Sequence, residues 1–267
     1  GLLGENGAGK TTLIKILSGY QPYDSGSISL DGRPVQFNSP AQAISAGIGM
    51  LHQDPLDIPP MTVLDNFMLG RESRLFQRRR EGRRELDSFS RRFGFALDPD
   101  ATTGSLTVGE RQQLELIRLL AMGVRVIILD EPTTGTSAPQ KELLFETLHR
   151  LAAEGLTVIF VSHKLDEVEE LCSRATVLRS GRVAGEMDAP FVPDDLVEMM
   201  FGQCLSAMPR PSIPLGKPLV EIDDVSVHTY RLSARHLSLS VREGEVIGLA
   251  GLEGSGQRLL MQACAGL

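Results

Sequence analysis

Apolar positions along the chain fall into short runs separated by glycine-rich turns and one long helical stretch. Gly1-Leu2-Leu3 reads as the tail of a buried strand. Gly4 to Thr12 reads as a glycine-rich turn opening a helix at Leu13–Leu17, which Gly19 ends. Asp24-Ser25-Gly26 and Asp31-Gly32 mark turns among short strands. From about Met61 to Met122 strand alternation is missing and the apolar spacing suits helices, which predicts a mostly helical insertion. The apolar run Val124–Leu129, flanked by Arg125 and Asp130, predicts a parallel strand buried on both faces. A helix near Gln140–Ala153, closed by Gly155, leads to another strand at Thr157–Ser162. Strand, helix, strand at this spacing is a βαβ unit, which implies an α/β fold with a parallel sheet.

The first domain is expected to span residues 1–202. Pro209, Pro211, Pro214 and Pro218 make residues 203–218 a linker rather than a packed element. Leu219–Val227 and Leu237–Leu249 then read as strands. They are followed by Gly251-Leu252-Glu253-Gly254-Ser255-Gly256, which repeats the layout of residues 1–9. Residues 219–267 are therefore expected to be the β-rich start of a second copy. No Met stands at position 1, where a strand is already ending, so the expectation is a sequence cut at both ends.

Composition narrows the class. With 267 residues, 42% hydrophobic, 23% charged and no Trp, the chain is ordinary globular material. No apolar run reaches the roughly 18 residues of a membrane-spanning helix, so a membrane role has to run through a partner. A net charge of −7 argues against binding nucleic-acid phosphates. Arg78, Arg79, Arg80, Arg83 and Arg84 cluster locally and read as a solvated helix face. Cys172, Cys204 and Cys264 are far apart and form no CxxC pair, which points to a reducing compartment without a disulfide framework or zinc site.

Two segments carry recognisable chemistry by themselves. Gly4-Glu5-Asn6-Gly7-Ala8-Gly9-Lys10-Thr11, followed by Thr12, fits G-x-x-x-x-G-K-[ST] at every defined position. Its backbone N–H groups and the following helix N-terminus suit phosphates. Lys10 would pair with the β and γ phosphates of ATP, and the Thr11 hydroxyl would reach Mg²⁺. Val126-Ile127-Ile128-Leu129-Asp130-Glu131 is a buried strand ending in two acids. Asp130 is placed to orient Mg²⁺ and Glu131 to polarise an attacking water.

Leu106-Thr107-Val108-Gly109-Glu110 also reads as a helix start, with Thr107 and Glu110 three residues apart as in a capping box. The segment resembles the LSGGQ-type signature of ABC ATPases in a variant form. In that frame Gln53 occupies the Q-loop position, which touches Mg²⁺ and the membrane subunit, and His163 matches the switch histidine after a strand. His52, His149, His228 and His236 gain no such role and read as structural. The resemblance implies a P-loop NTPase with a RecA-like parallel sheet, an ABC helical subdomain at about 61–122, and ATP and Mg²⁺ as cofactors. The tandem layout is similar to the simple-sugar and nucleoside importer subclass. It implies transmembrane permease subunits, indirectly a solute-binding protein, and a peripheral place on the cytoplasmic face of the membrane. The phrases Ile48–Gln53 and Gly248–Gln257 resemble the nucleoside branch more than the ribose branch. A soluble ABC-type ATPase acting on nucleic acid or ribosomes is the alternative.

Three departures from the family pattern matter. The second glycine-rich loop runs Gly256-Gln257-Arg258 where a lysine is expected, so that site should bind or hydrolyse ATP poorly. The D-loop region, Thr133 to Gln140, has no aspartate near Ala138. The strands and adenine-stacking aromatic that precede a first P-loop in the family do not occur in the sequence. Because ABC sites are shared, Lys10, Asp130 and Glu131 would need the signature of the second domain. Leu106–Glu110 would face the degenerate second loop. Residues 1–267 alone are therefore expected to bind MgATP and turn it over slowly.

Overall fold

The computed structural model describes residues 1–70, 78–203, 214–228, 232–251 and 255–266. Cys204, Pro209, Pro211 and Leu252 to Gly254 lie outside the described residues. The chain forms two compact units, Gly1–Leu205 and Ser206–Leu267.

In the first unit, β1 (Leu2–Leu3) runs through the glycine-rich loop into α1 (Lys10–Leu17). A small hairpin, β2 (Ile28–Leu30) and β3 (Arg33–Val35), precedes α2 (Pro40–Ala46) and β4 (Ile48–Leu51). Helices α3 (Val63–Met68), α4 (Arg78–Phe93) and α5 (Val108–Ala121) make up the predicted helical insertion. Then come β5 (Val126–Asp130), α6 (Ala138–Ala153), β6 (Thr157–Val161), α7 (Leu165–Leu171), β7 (Arg174–Arg179), β8 (Arg182–Asp188) and α8 (Pro193–Phe201).

Six of these strands form one sheet in the order β4-β5-β6-β1-β7-β8. All neighbours are parallel except β7 and β8, which pair antiparallel at one edge. β1 is only two residues long, yet it sits inside the sheet, with Leu2 registered to Val161 on one side and Thr176 on the other. Successive side chains point to opposite faces. Leu3, Ile127, Leu129 and Phe160 join the cluster containing α3, α5 and α6 residues. Leu2, Met50, Ile128 and Val161 join the one containing Ile14 of α1 and Ala43 of α2. The continuous apolar run of β5 follows from that double burial.

Several boundaries differ from expectation. α1 starts at Lys10 rather than Leu13, because Gly9 takes a left-handed conformation (φ 101°) and turns the chain straight into the helix. Lys10, Thr11 and Thr12 are polar because of their location at a helix N-terminus, and composition alone made them read as loop. α6 starts at Ala138, with Ser137 and Gln140 forming a capping box and a proline in the first turn.

The helical insertion is closed by one buried amide. Asn66, 1% exposed, accepts from the Ile58 N–H at 2.8 Å and donates to Ile58 O, Thr62 O and Thr103 Oγ1 at 3.0, 3.2 and 2.8 Å. The loop after β4 is thereby pinned to the start of α3 and to the turn at Thr103–Ser105. Arg111 in the first turn of α5 holds the same loop through a two-pronged pair with Asp57 at 2.5 and 2.6 Å. Arg79, Arg80, Arg83 and Arg84 are exposed on α4; Arg83 grips Asp100 with two hydrogen bonds and Arg79 pairs with Asp65.

In the second unit β9 (Pro218–His228) and β10 (Ser233–Arg242) form an antiparallel pair, and α9 (Gln257–Cys264) follows. The strand expected to reach Leu249 stops at Arg242, and Val246 is 95% exposed. The reason is pairing. In the first unit the strand that enters the glycine-rich loop is held between β6 and β7, and among the described residues of the second unit no strand offers such a ladder.

Candidate nucleotide site

Four strands deliver the candidate residues to one end of the sheet. β1 ends in the loop Gly4–Gly9, β5 in Asp130, β6 just before Ser162 and His163, and β4 two residues before Gln53. All four run parallel, so all four carboxyl ends lie on one side. The chain leaves β1 for β4 at one edge and later returns to β7 on the other side of β1. That reversal of strand order is where open α/β sheets bind ligands.

The loop is built for close approach. A Cβ on Gly4 would sit 2.2 Å from the Leu178 carbonyl oxygen, so only glycine fits there. Lys10 is 6% exposed and arches back over the loop, donating to the carbonyls of Gly4 at 2.7 Å and Glu5 at 3.0 Å. Its ammonium is therefore held where phosphate oxygens can take over from carbonyls. Ala8 is buried and its N–H closes the loop onto Glu5 O at 3.1 Å, while Asn6, Gly7, Thr11 and Thr12 are exposed.

Asp130 is 9% exposed, and burial raises its pKa, with the Glu131 charge adding to the rise and Lys10 and Lys15 opposing it. A buried carboxylate so placed favours a cation at its side. Among the described residues no group of three metal-ligating side chains occurs. Asp130 and the Thr11 hydroxyl are oxygen donors of the kind that would hold a Mg²⁺ bound to phosphates.

Glu131 has φ 47°, a left-handed conformation unusual for a residue with a side chain and worth about 1 kcal/mol or more of strain. Its N–H donates to Val161 O at 3.0 Å, which fixes the turn off β5 to the end of β6. The turn brings Glu131 Oε1 within 3.1 Å of His163 Nδ1, with His163 half-exposed and Glu131 at 18% exposure. Gln53 is exposed, and its neighbour His52 stacks edge-on against Tyr20 at 4.8 Å. Burial, with Lys15 and Arg118 nearby, lowers the His52 pKa, as suits a neutral structural imidazole.

The segment Leu106–Glu110 is a helix start, as its spacing predicts. Thr107 caps α5 and its N–H and hydroxyl both donate to Glu110 Oε2, at 2.8 and 2.9 Å. Gln140, from the first turn of α6, adds a bond from Nε2 to Thr107 Oγ1 at 2.9 Å and packs over Gly109, where a Cβ would meet it at 2.6 Å. Val108 is the first residue of α5. Among the described residues their hydrogen bonds run to one another, to Thr103, to Arg111 and to Gln140, not to the phosphate loop.

Sequence reasoning missed Gln140, the Asp57–Arg111 pair and Glu167. Each joins elements distant in sequence, and a polar residue near a helix start carries no sign of the partner that it will meet. Gly256 (φ 106°, ψ 0°) begins α9 in the same left-handed conformation in which Gly9 (φ 101°, ψ 4°) begins α1. Gln257 stands in the lysine place, and its Nε2 lies 2.2 Å from where a Cβ on Gly251 would be. An uncharged amide therefore lies beside the first glycine of that loop.

This fold is that of an ATP-binding cassette. A nucleotide-free ATP-binding cassette from an ABC transporter superposes with a TM-score of 0.65 at 23% identity, over 76% of this chain and 83% of the other. The cbiO1 structure from Clostridium perfringens, part of the ABC transporter complex cbiONQ, gives a TM-score of 0.60 at 27% identity, over 70% of this chain and 75% of the other. The family model described as ABC transporter matches residues 1–134, and the chain belongs to that family. Relatives include a ribose import ATP-binding protein of Rubrobacter xylanophilus, 42% identical over 100% of this chain and 53% of its own length. A glucose import ATP-binding protein of Haloferax volcanii is 39% identical, over 100% and 55%. An arabinose import ATP-binding protein of Burkholderia lata is 41% identical, over 100% and 53%. The chain thus spans about half the length of these relatives. All three relatives are named for the import of a sugar.

Proposed function

We propose that this chain belongs to an ATP-hydrolysing subunit that drives uptake of a monosaccharide through a membrane permease. Residues 1–202 act as the first nucleotide-binding domain and 219–267 begin the second. The observation that carries the reading is the meeting of Lys10, Asp130, Glu131 and His163 at the carboxyl end of one parallel sheet. Among the described residues no helix is long and apolar enough to cross a membrane. The reading assigns the solute path to a partner permease, on whose cytoplasmic face this chain docks.

The chemistry follows from the side chains. ATP phosphates draw the Lys10 ammonium from the Gly4 and Glu5 carbonyls, and the loop amides and the α1 N-terminus cradle them. Thr11 and Asp130 would hold a Mg²⁺ bound with the nucleotide, which would supply charge neutralisation. Glu131 accepts a hydrogen bond from the O–H of the attacking water, and His163 holds the Glu131 carboxylate in place. Gln53, next along the sheet edge, senses the occupied site and passes its state to the permease. Leu106 to Glu110 act as the signature motif, and the Gln257 loop hydrolyses poorly for want of the P-loop lysine. Residues 1–267 alone turn ATP over slowly.

The test is the complete protein with its permease and solute-binding protein in lipid vesicles. ATP-driven accumulation of ribose, arabinose or glucose, abolished by Lys10→Ala, supports the reading. Nucleoside uptake in their place would shift the substrate class, and uptake unaffected by Lys10→Ala would overturn it.

A further inference from the structure

We propose that Glu167 is a positioning residue for the Glu131–His163 pair, clamping together the two loops that carry them; this rests on the hydrolytic reading above. Glu167 lies in the first turn of α7 and is 2% exposed. An acid at that place ordinarily answers the helix dipole. Here its oxygens go instead to side chains of two separate loops. Oε2 accepts from Thr133 Oγ1 at 2.9 Å and from Ser162 Oγ at 3.1 Å, and Oε1 accepts from Lys164 Nζ at 3.0 Å.

The knot is closed on every side. Lys164 Nζ also donates to Thr133 Oγ1 at 3.1 Å, and the Lys164 backbone N–H donates to Ser162 Oγ at 3.1 Å. Thr133 and Ser162 are themselves 6% and 2% exposed, so neither hydroxyl has water to fall back on. An ionised carboxylate only accepts, and here it meets three donors. A glutamine of the same shape would turn an NH₂ toward one of them.

Placement ties this knot to the chemistry. Thr133 follows Glu131 by two residues, and Ser162 and Lys164 flank His163. The Glu131 turn is held on its near side by the bond to Val161 O, and Thr133 holds it beyond. One buried carboxylate therefore sets the spacing of two loops whose tips must meet at 3.1 Å. Geometry of this kind acts on the transition state more than on nucleotide binding.

The test uses the complete ATP-binding protein with its permease in lipid vesicles and reads ATP hydrolysis per bound nucleotide. Glu131→Gln serves as the control for the hydrolytic reading: wild-type turnover in that variant overturns the reading and this proposal with it. With Glu131→Gln inactive, Glu167→Gln is expected to lower kcat about tenfold and leave KM for MgATP within about twofold. Thr133→Val and Ser162→Ala are each expected to lower kcat less, and together by less than the product of the two, since both donate to one oxygen. Thr133→Ser, which restores the hydroxyl, should recover most of the rate. Unchanged kcat per bound nucleotide in Glu167→Gln, or a matching rise in KM, overturns the proposal. Should that variant fail to fold, unchanged kcat in both Thr133→Val and Ser162→Ala overturns it equally.

Discussion

Glu131 Oε1 and His163 Nδ1 stand 3.1 Å apart although 32 positions separate them in the chain. β5 and β6 are registered neighbours, Asp130 against Val161, so the residues that follow each strand emerge side by side. A carboxylate held by an imidazole is poised to orient water without being neutralised by a lysine. Replacing Glu131 by Gln should cut steady-state ATP hydrolysis about a hundredfold or more while nucleotide binding persists. His163→Ala should lower turnover in the same direction. Fluorescent-nucleotide binding beside phosphate release separates the two effects.

Gln140 and Glu110 share one hydroxyl, that of Thr107, one donating to it and the other accepting from it. Gln140→Glu removes the donor and brings a second carboxylate to the hydroxyl that already serves Glu110. The signature end of α5 should then loosen from α6, with a stability loss of about 1 kcal/mol in urea unfolding. Gln140→Ala loses the link and also the Ser137 capping bonds at the start of α6, and should destabilise at least as much.

Asn66 spends its amide on four hydrogen bonds in a site closed to water. Asn66→Leu leaves the Ile58 N–H unpaired, since only the Ile58 carbonyl keeps a second partner in the Met61 N–H, and should destabilise the first unit by about 2 kcal/mol. Chemical denaturation checks the magnitude. Hydrogen exchange should show the loss first at residues 56–66.

Glu115 on α5 is 5% exposed, and burial pushes its pKa up from 4.5 to about 7, with Arg118 working against the shift. A carboxylate whose folded pKa is raised supports the fold below the unfolded pKa and loses that support as pH climbs through the folded one. The window is therefore pH 4.5 to about 7. Glu115→Gln, which cannot ionise, should gain about 1–3 kcal/mol over wild type at pH 8 and little at pH 4. Equal differences at both pH values would rule this out.

Much of the molecule was legible in its residues taken in order. The glycine-rich loop, the apolar strand ending in two acids and the helical stretch between them announce themselves locally, because backbone freedom, burial on two faces and helical spacing each leave a mark on neighbouring positions. Thr107 and Glu110 were readable as a cap for the same reason, three residues apart on one helix start. What could not be read is which distant parts meet. The pairing of Glu131 with His163, the bond from Gln140 to Thr107 and the Glu167 knot all depend on strand order, and strand order is set by packing around β1. The failed strand at Val246–Leu249 makes the same point in reverse. Its apolar sequence suits a strand as well as Gly1-Leu2-Leu3 does, but a strand needs neighbours to bond with. Those come only from the rest of a sheet.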